Sequence, residues 1–157
     1  IQKSLASGFS WPQSNSENPP PVGDLLVDLM AARGWRGAEA WAKRANDIAP
    51  TIVGGSKKHG GPDLGPTRAR KAWASLGVNG ISIANEAPDP DFVGMPRLTT
   101  EMVARIQGFP DSWVFTGKKT PAYRQIGNAF PPPVAAAVAL EIHACLVAQE
   151  DSMAIAG

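Results

Sequence analysis

The 157-residue chain has a single cysteine, Cys145, so an intramolecular disulfide framework and a cysteine-based metal cluster are both excluded and a reducing, cytoplasmic setting is expected. Histidine is almost as scarce. His59 and His143 lie far apart, no group of Cys, His and acidic residues has ligand spacing, and no metal site is assigned. No apolar run approaches the ~20 residues a bilayer span needs, and the first residues do not build the apolar segment of a secretion signal, so no membrane partner is expected. Net charge is nearly missing as well. Fifteen Lys and Arg against fourteen Asp and Glu leave +1, which argues neither for nor against a polyanionic partner. Neither a phosphate-binding Gly-Lys-Ser/Thr loop nor Gly-x-Gly-x-x-Gly occurs, and no Ser or Cys sits in a nucleophile elbow.

Glycine and proline are plentiful, at 16 and 15 residues, so long bent connections are expected. Residues 1–21 are rich in Ser, Asn, Pro and Gln and read as an arm or linker. From Val22, the positions Val22, Leu25, Leu26, Leu29 and Met30 follow one helical face, stopped by Gly34; a second helix is expected over Ala38–Ala45. Thr51-Ile52-Val53, Ile81-Ser82-Ile83 and Trp113-Val114-Phe115 are short β-prone runs bounded by turn formers. Residues 54–71 hold five glycines and two prolines and read as a loop. Within it Lys57, Lys58, Arg68, Arg70 and Lys71 face Asp63 alone, a local positive excess that the near-neutral total hides. Thr99 or Thr100 can cap a helix running to about Gln107 and ended by Gly108 and Pro110. After three prolines, residues 134–148 carry the apolar stripe Val134, Val138, Ile142, Cys145 and Leu146 with Glu141 as the one charge, a helix whose broad apolar face needs a partner surface. Cys145 reads as a packed small hydrophobe, and Trp35, Trp41, Trp73 and Trp113 as core.

Arg124-Gln125-Ile126-Gly127-Asn128-Ala129-Phe130-Pro131-Pro132-Pro133-Val134, continued by Val138 and Ile142 at four-residue steps, strongly resembles the last conserved motif of DNA (cytosine-5) methyltransferases. Leu98-Thr99 followed by Ala104-Arg105-Ile106-Gln107-Gly108-Phe109-Pro110-Asp111 resembles the motif before it. Ala49-Pro50-Thr51-Ile52 is similar to the Thr-aliphatic pair of that family's target recognition domain. The upstream motif departs from the family at Pro96 and Met102, where an Arg and a Glu are usual; Arg97 and Glu101 stand one place away, while Arg105 and Gln107 are in register.

In this family a thiolate of a Pro-Cys pair adds to C6 of a flipped cytosine, because C5 is too poor a nucleophile until that bond pushes electron density onto it. The chain has no Pro-Cys, Phe-x-Gly-x-Gly or Glu-Asn-Val. The resemblance therefore implies the C-terminal part of such an enzyme, or the smaller subunit of a split one, silent alone and belonging to restriction-modification. The implied fold is mixed α/β: a small irregular target recognition domain plus C-terminal helices that complete an absent Rossmann-like S-adenosylmethionine domain. The implied division is an arm over 1–21, a recognition domain over 22–96 and C-terminal motifs with a packing helix over 97–157. Gly127, Asn128 and Ala129 would line the S-adenosylmethionine site. Thr51, Lys57, Lys58, His59, Arg68, Arg70 and Lys71 would contact double-stranded DNA, with Arg68 and Arg70 suited to guanine edges. Arg105, Gln107, Arg124 and Gln125 would be structural parts of the two motifs, and no residue here is expected to be catalytic. The expected partners are DNA and the N-terminal catalytic part, with a homodimer through the last helix in isolation. A catalytically inactive, sequence-specific DNA-binding module is the alternative; it predicts binding without cofactor dependence.

Overall fold

The computed structural model describes residues 8–13, 18–54 and 61–155, with side chains up to Ala148. Six helices form among the described residues: α1 Val22–Ala31, α2 Ala38–Arg44, α3 Thr67–Ser75, α4 Thr100–Ile106, α5 Lys119–Asn128 and α6 Pro132–Ile155. The chain divides into two units. Asn18–Ala129 holds α1 to α5, and the described parts of Ile1–Glu17 and Phe130–Gly157 hold α6.

In the larger unit the two expected helices α1 and α2 pack on each other as a hairpin. The first backbone donors of α1 have no partner inside their own helix and are met by the chain leaving α2: Val22 N donates to the Asp47 carbonyl at 3.0 Å and Gly23 N to the Ala45 carbonyl at 2.9 Å. A Cβ at Gly23 would overlap the Ala42 backbone, lying 2.8 Å from its Cα, so the hairpin closes only because residue 23 has no side chain. Arg33 pairs with Glu86 and Asp89, and Arg36 with Asp91, strapping the 86–92 loop to the hairpin; Trp35 Nε1 donates to the Phe92 carbonyl at 2.9 Å.

α4 is capped by Thr99, whose Oγ1 accepts from Met102 N at 3.3 Å. It ends at Gly108, in the left-handed region with φ 82, where Gly108 N reaches the Arg105 carbonyl and Phe109 N the Ala104 carbonyl, both at 3.0 Å. α3 closes in the same way. Gly77, at φ 71, donates to Ala74 and Val78 N to Trp73, both at 3.0 Å. The core joins Leu26 and Met30 of α1, Trp41 of α2, Trp73 of α3, Met102 and Val103 of α4 and Tyr123 and Ile126 of α5.

Three expectations are corrected. The β-prone runs 51–53, 81–83 and 113–115 are irregular, and no strand occurs among the described residues, so the expected mixed fold is helical here. Glycine or proline beside the first two runs limits pairing to single bonds, such as Ile83 N to Pro62 O at 3.1 Å and Ala84 N to Leu98 O at 2.8 Å. The 54–71 loop ends at Pro66, the cap of α3, and α5 is a helix for which the sequence offered no expectation. Trp113 is 59% exposed, whereas Trp35, Trp41 and Trp73 are buried as expected. Asn79 N donates to the Pro96 carbonyl at 2.8 Å, which with the bond to Leu98 holds 79–84 beside 96–98.

In the smaller unit, Pro132 and Pro133 occupy the first turn of α6, where a missing N–H costs nothing. Ser10 Oγ lies 3.3 Å from Glu141 Oε2, so residues 8–13 run beside the helix. Val138, Ile142 and Cys145 are half-buried, but Val134, Leu140, Leu146 and Val147 are exposed. The helix is longer than the sequence suggested. By length and composition alone it is long and apolar enough to cross a bilayer, which the sequence reading excluded.

Candidate functional site

Two sets of the predicted residues lie in the larger unit, on different elements. The first is basic. Arg68, Arg70 and Lys71 sit in the first turns of α3, which has no acidic residue there, so the helix dipole and the side chains carry the same sign. None of the three forms an ion pair among the described residues. Arg68 and Lys71 are exposed; the stem of Arg70 lies over Gly80, with Arg70 Cγ 3.2 Å from where a Cβ on that glycine would sit. Lys57, Lys58 and His59 lie outside the described residues.

The second set surrounds the end of α5. Gly127 and Asn128 belong to its last turn, and Ala129 is the cap, with extended backbone at φ −70 and ψ 145. Glycine is needed at 127 because the chain itself fills the space. A Cβ there would lie 2.6 Å from Gly54 Cα and 2.8 Å from Gly54 N. A Cβ on Gly54 would in turn overlap the Asn128 amide, 2.9 Å from Nδ2. The Thr51–Gly54 segment and the Gly127–Asn128 turn therefore touch backbone to backbone. Thr51 is exposed and Ile52 anchors the segment in the core.

Asn128 is exposed and makes no hydrogen bond among the described residues. Its amide is free to donate and accept, with small residues on both sides. That donor set fits contact with a polar cofactor such as S-adenosylmethionine. Arg124 is half-buried with no ion pair among the described residues, and Gln125 Nε2 donates to the Thr116 carbonyl at 3.1 Å.

Arg105 and Gln107 hold the elements together. The Arg105 guanidinium grips Asp111 with two bonds, Nε to Oδ1 at 2.9 Å and Nη2 to Oδ2 at 2.6 Å. Its Nη1 donates to Asp28 Oδ1 at 2.6 Å and to the Leu25 carbonyl at 3.1 Å, tying α4 to α1. Hydrogen bonds from Arg105 hold both carboxyls below their ordinary value, and those bonds raise the guanidinium's own pKa. Gln107 Nε2 donates to the Ile126 carbonyl at 3.3 Å, tying α4 to α5. Glu101 accepts from Thr99 Oγ1 at 3.0 Å, and Arg97 is exposed. A separate cavity of about 520 Å³, lined by Leu29, Asn85, Glu101, Phe109 and Trp113 among others, contains none of the predicted DNA or cofactor residues.

Sequence reading missed Tyr123 and Gly54. The Tyr123 hydroxyl lies 2.6 Å from the Asp63 carbonyl oxygen and 2.9 Å from that of Val53. Burial pushes the phenol up to about 12. An apolar face of Ala122, Tyr123 and Ile126 before a Gly-Asn pair was the available signal.

The family described as C-5 cytosine-specific DNA methylase matches residues 8–144 of the chain. The Type II methyltransferase M.NaeI of Lentzea aerocolonigenes is 60% identical over 149 residues, 93% of this chain and 36% of that protein. M.NgoMIV of Neisseria gonorrhoeae is 51% identical over 145 residues, 90% of this chain and 46% of that protein. DNA (cytosine-5)-methyltransferase 1 of Mus musculus is 57% identical over 44 residues, 28% of this chain. The chain thus spans less than half the length of the curated relatives it matches. No solved structure matches it.

Proposed function

Because the chain belongs to the C-5 cytosine-specific DNA methylase family, we propose that it supplies DNA target recognition and part of the S-adenosylmethionine site to a cytosine-5 methyltransferase of a restriction-modification system. The observation that carries this is the row Arg68, Arg70 and Lys71, unpaired among the described residues, at the start of a helix in the same unit as the Gly127–Asn128 turn. Cations there neutralise phosphates, and an arginine fork matches the two acceptors on the major-groove edge of guanine. Thr51 offers a short exposed hydroxyl to the sugar-phosphate backbone. When bound, S-adenosylmethionine supplies the methyl group that C5 receives. The part played by this chain is to hydrogen-bond the polar atoms of that cofactor through the Asn128 amide, with Gly127 and Ala129 beside it.

The thiolate that activates the cytosine comes from outside this sequence, whose lone Cys145 follows Ala144 and lies on α6. The chain alone binds cognate duplex and does not methylate it. In this reading the exposed Val134, Leu140, Leu146 and Val147 of α6 face the catalytic part rather than a bilayer. A hybrid that joins the chain to the portion of the Lentzea relative it does not match tests the proposal. Methylation of duplex DNA by the hybrid, and none by the chain alone, is expected. Replacing Arg68, Arg70 or Lys71 by alanine should lower the slope of log affinity against log salt by about one for each phosphate left without its cation. Binding by the chain with no methylation by a folded hybrid would instead identify a DNA-binding module without catalytic use.

A further inference from the structure

Tyr123 is the one tyrosine of the sequence and its ring is buried. A phenol has a single proton, so its hydroxyl shares that proton between the Asp63 carbonyl at 2.6 Å and the Val53 carbonyl at 2.9 Å. These two carbonyls lead in opposite directions. Val53 is followed by Gly54, against which Gly127 packs backbone to backbone. Asp63 leads into α3: its carboxylate accepts from Gly65 N at 2.9 Å, and Pro66 then caps the helix that bears Arg68, Arg70 and Lys71. Tyr123 itself lies on α5 one turn before Gly127 and Asn128. One hydroxyl thus joins three pieces of chain, and no strand ladder among the described residues does that job in its place.

We propose that Tyr123 is a positioning residue, whose hydroxyl sets the Thr51–Gly54 segment and the start of α3 in register with the Gly127–Asn128 turn. Burial of the ring is non-directional and would tolerate small slips of either segment; a single proton shared between two carbonyls does not. With its pKa pushed up to about 12, the phenol stays a donor throughout the neutral range. The inference rests on the DNA-recognition reading above, since register with the Asn128 turn matters only if α3 and Thr51 meet DNA.

The test is Tyr123→Phe in the hybrid enzyme, which keeps the ring and removes only the hydroxyl. The expected result is a rise of about fivefold in KM for target DNA, the factor that one hydrogen bond of ordinary strength supplies, with KM for S-adenosylmethionine and kcat within about twofold of the parent. A KM for DNA unchanged from the parent overturns the inference, and so does a parallel loss in all three parameters with a lowered melting temperature. A second measurement needs no variant. Because the five tryptophans do not titrate, absorbance of the isolated chain at 295 nm reports Tyr123 alone: it should stay flat up to about pH 10.5, and half-ionisation near pH 10 would show a phenol in water rather than buried between the two segments and overturn the inference. Should the parent hybrid neither bind nor methylate duplex DNA, the recognition reading fails first. With an active parent, only the role of Tyr123 is being judged.

Discussion

Truncating Arg105 to alanine takes a common donor from Asp111, Asp28 and the Leu25 carbonyl, and so unties α4 from α1. The guanidinium is 16% exposed, but the carboxylates are 63% and 65% exposed, so both rehydrate when it leaves and no charge is stranded in the core. The loss therefore stays well below the ~3–5 kcal/mol of breaking a buried pair. The bond to the Leu25 carbonyl contributes about 1 kcal/mol, and the Asp28 pair, discounted for exposure, a few tenths. With the packing of the arginine stem, about 1–2 kcal/mol is expected in all. At a urea slope near ~2 kcal/mol/M, the midpoint should fall by about 0.5–1 M. Arg105→Lys keeps the charge but not the two-pronged grip and should recover roughly half of that loss.

The pH dependence gives a sharper check on Arg105. Asp28 and Asp111 have folded pKa values below their unfolded ones, so their contribution is present above about pH 4 and disappears as pH falls through the lowered folded values. The gap between parent and Arg105→Ala should therefore hold from pH 7 to about pH 4 and narrow below it. A midpoint unchanged by the truncation, or a gap constant down to pH 2, would refute the reasoning.

The remaining predictions follow from close approach and from the buried phenol. Gly23→Ala should push α2 away from α1 and cost about 1–3 kcal/mol, read as a lower midpoint in the same urea titration; a neutral effect would mean that the hairpin yields freely. Tyr123 has a folded pKa above its unfolded one, so its share of stability is whole below about pH 10 and is lost between 10 and 12. The parent should accordingly lose stability over that alkaline interval faster than Tyr123→Phe does, as followed by tryptophan fluorescence.

Four helices were legible in the residues because each carries its own local signals. The Val22–Met30 stripe ends at Gly34, Thr99 caps α4 and Gly108 ends it, and prolines open α6. α3 was obscured by the glycines and prolines before it, although Arg68 to Ala74 are good helix formers and Gly77 is a fitting stop. α5 was hidden behind a motif whose chemistry drew the eye from its apolar face. Trp113 and Val114 looked like a strand, yet they pair with no other strand among the described residues and stay exposed, since β propensity is realised only where another segment pairs with it.

From the order of its residues alone, this chain determines its helix ends, its single unreactive-looking cysteine, its concentrated basic run and the two motifs that mark its family. These are local properties, written in short stretches of side chains and backbone preferences. Why Gly23, Gly54 and Gly127 must be glycine, and why one tyrosine engages both Val53 and Asp63, was decided only in the folded chain. Those constraints come from atoms tens of residues apart meeting within hydrogen-bond or van der Waals distance, and no pattern of spacing encodes which distant backbone will arrive.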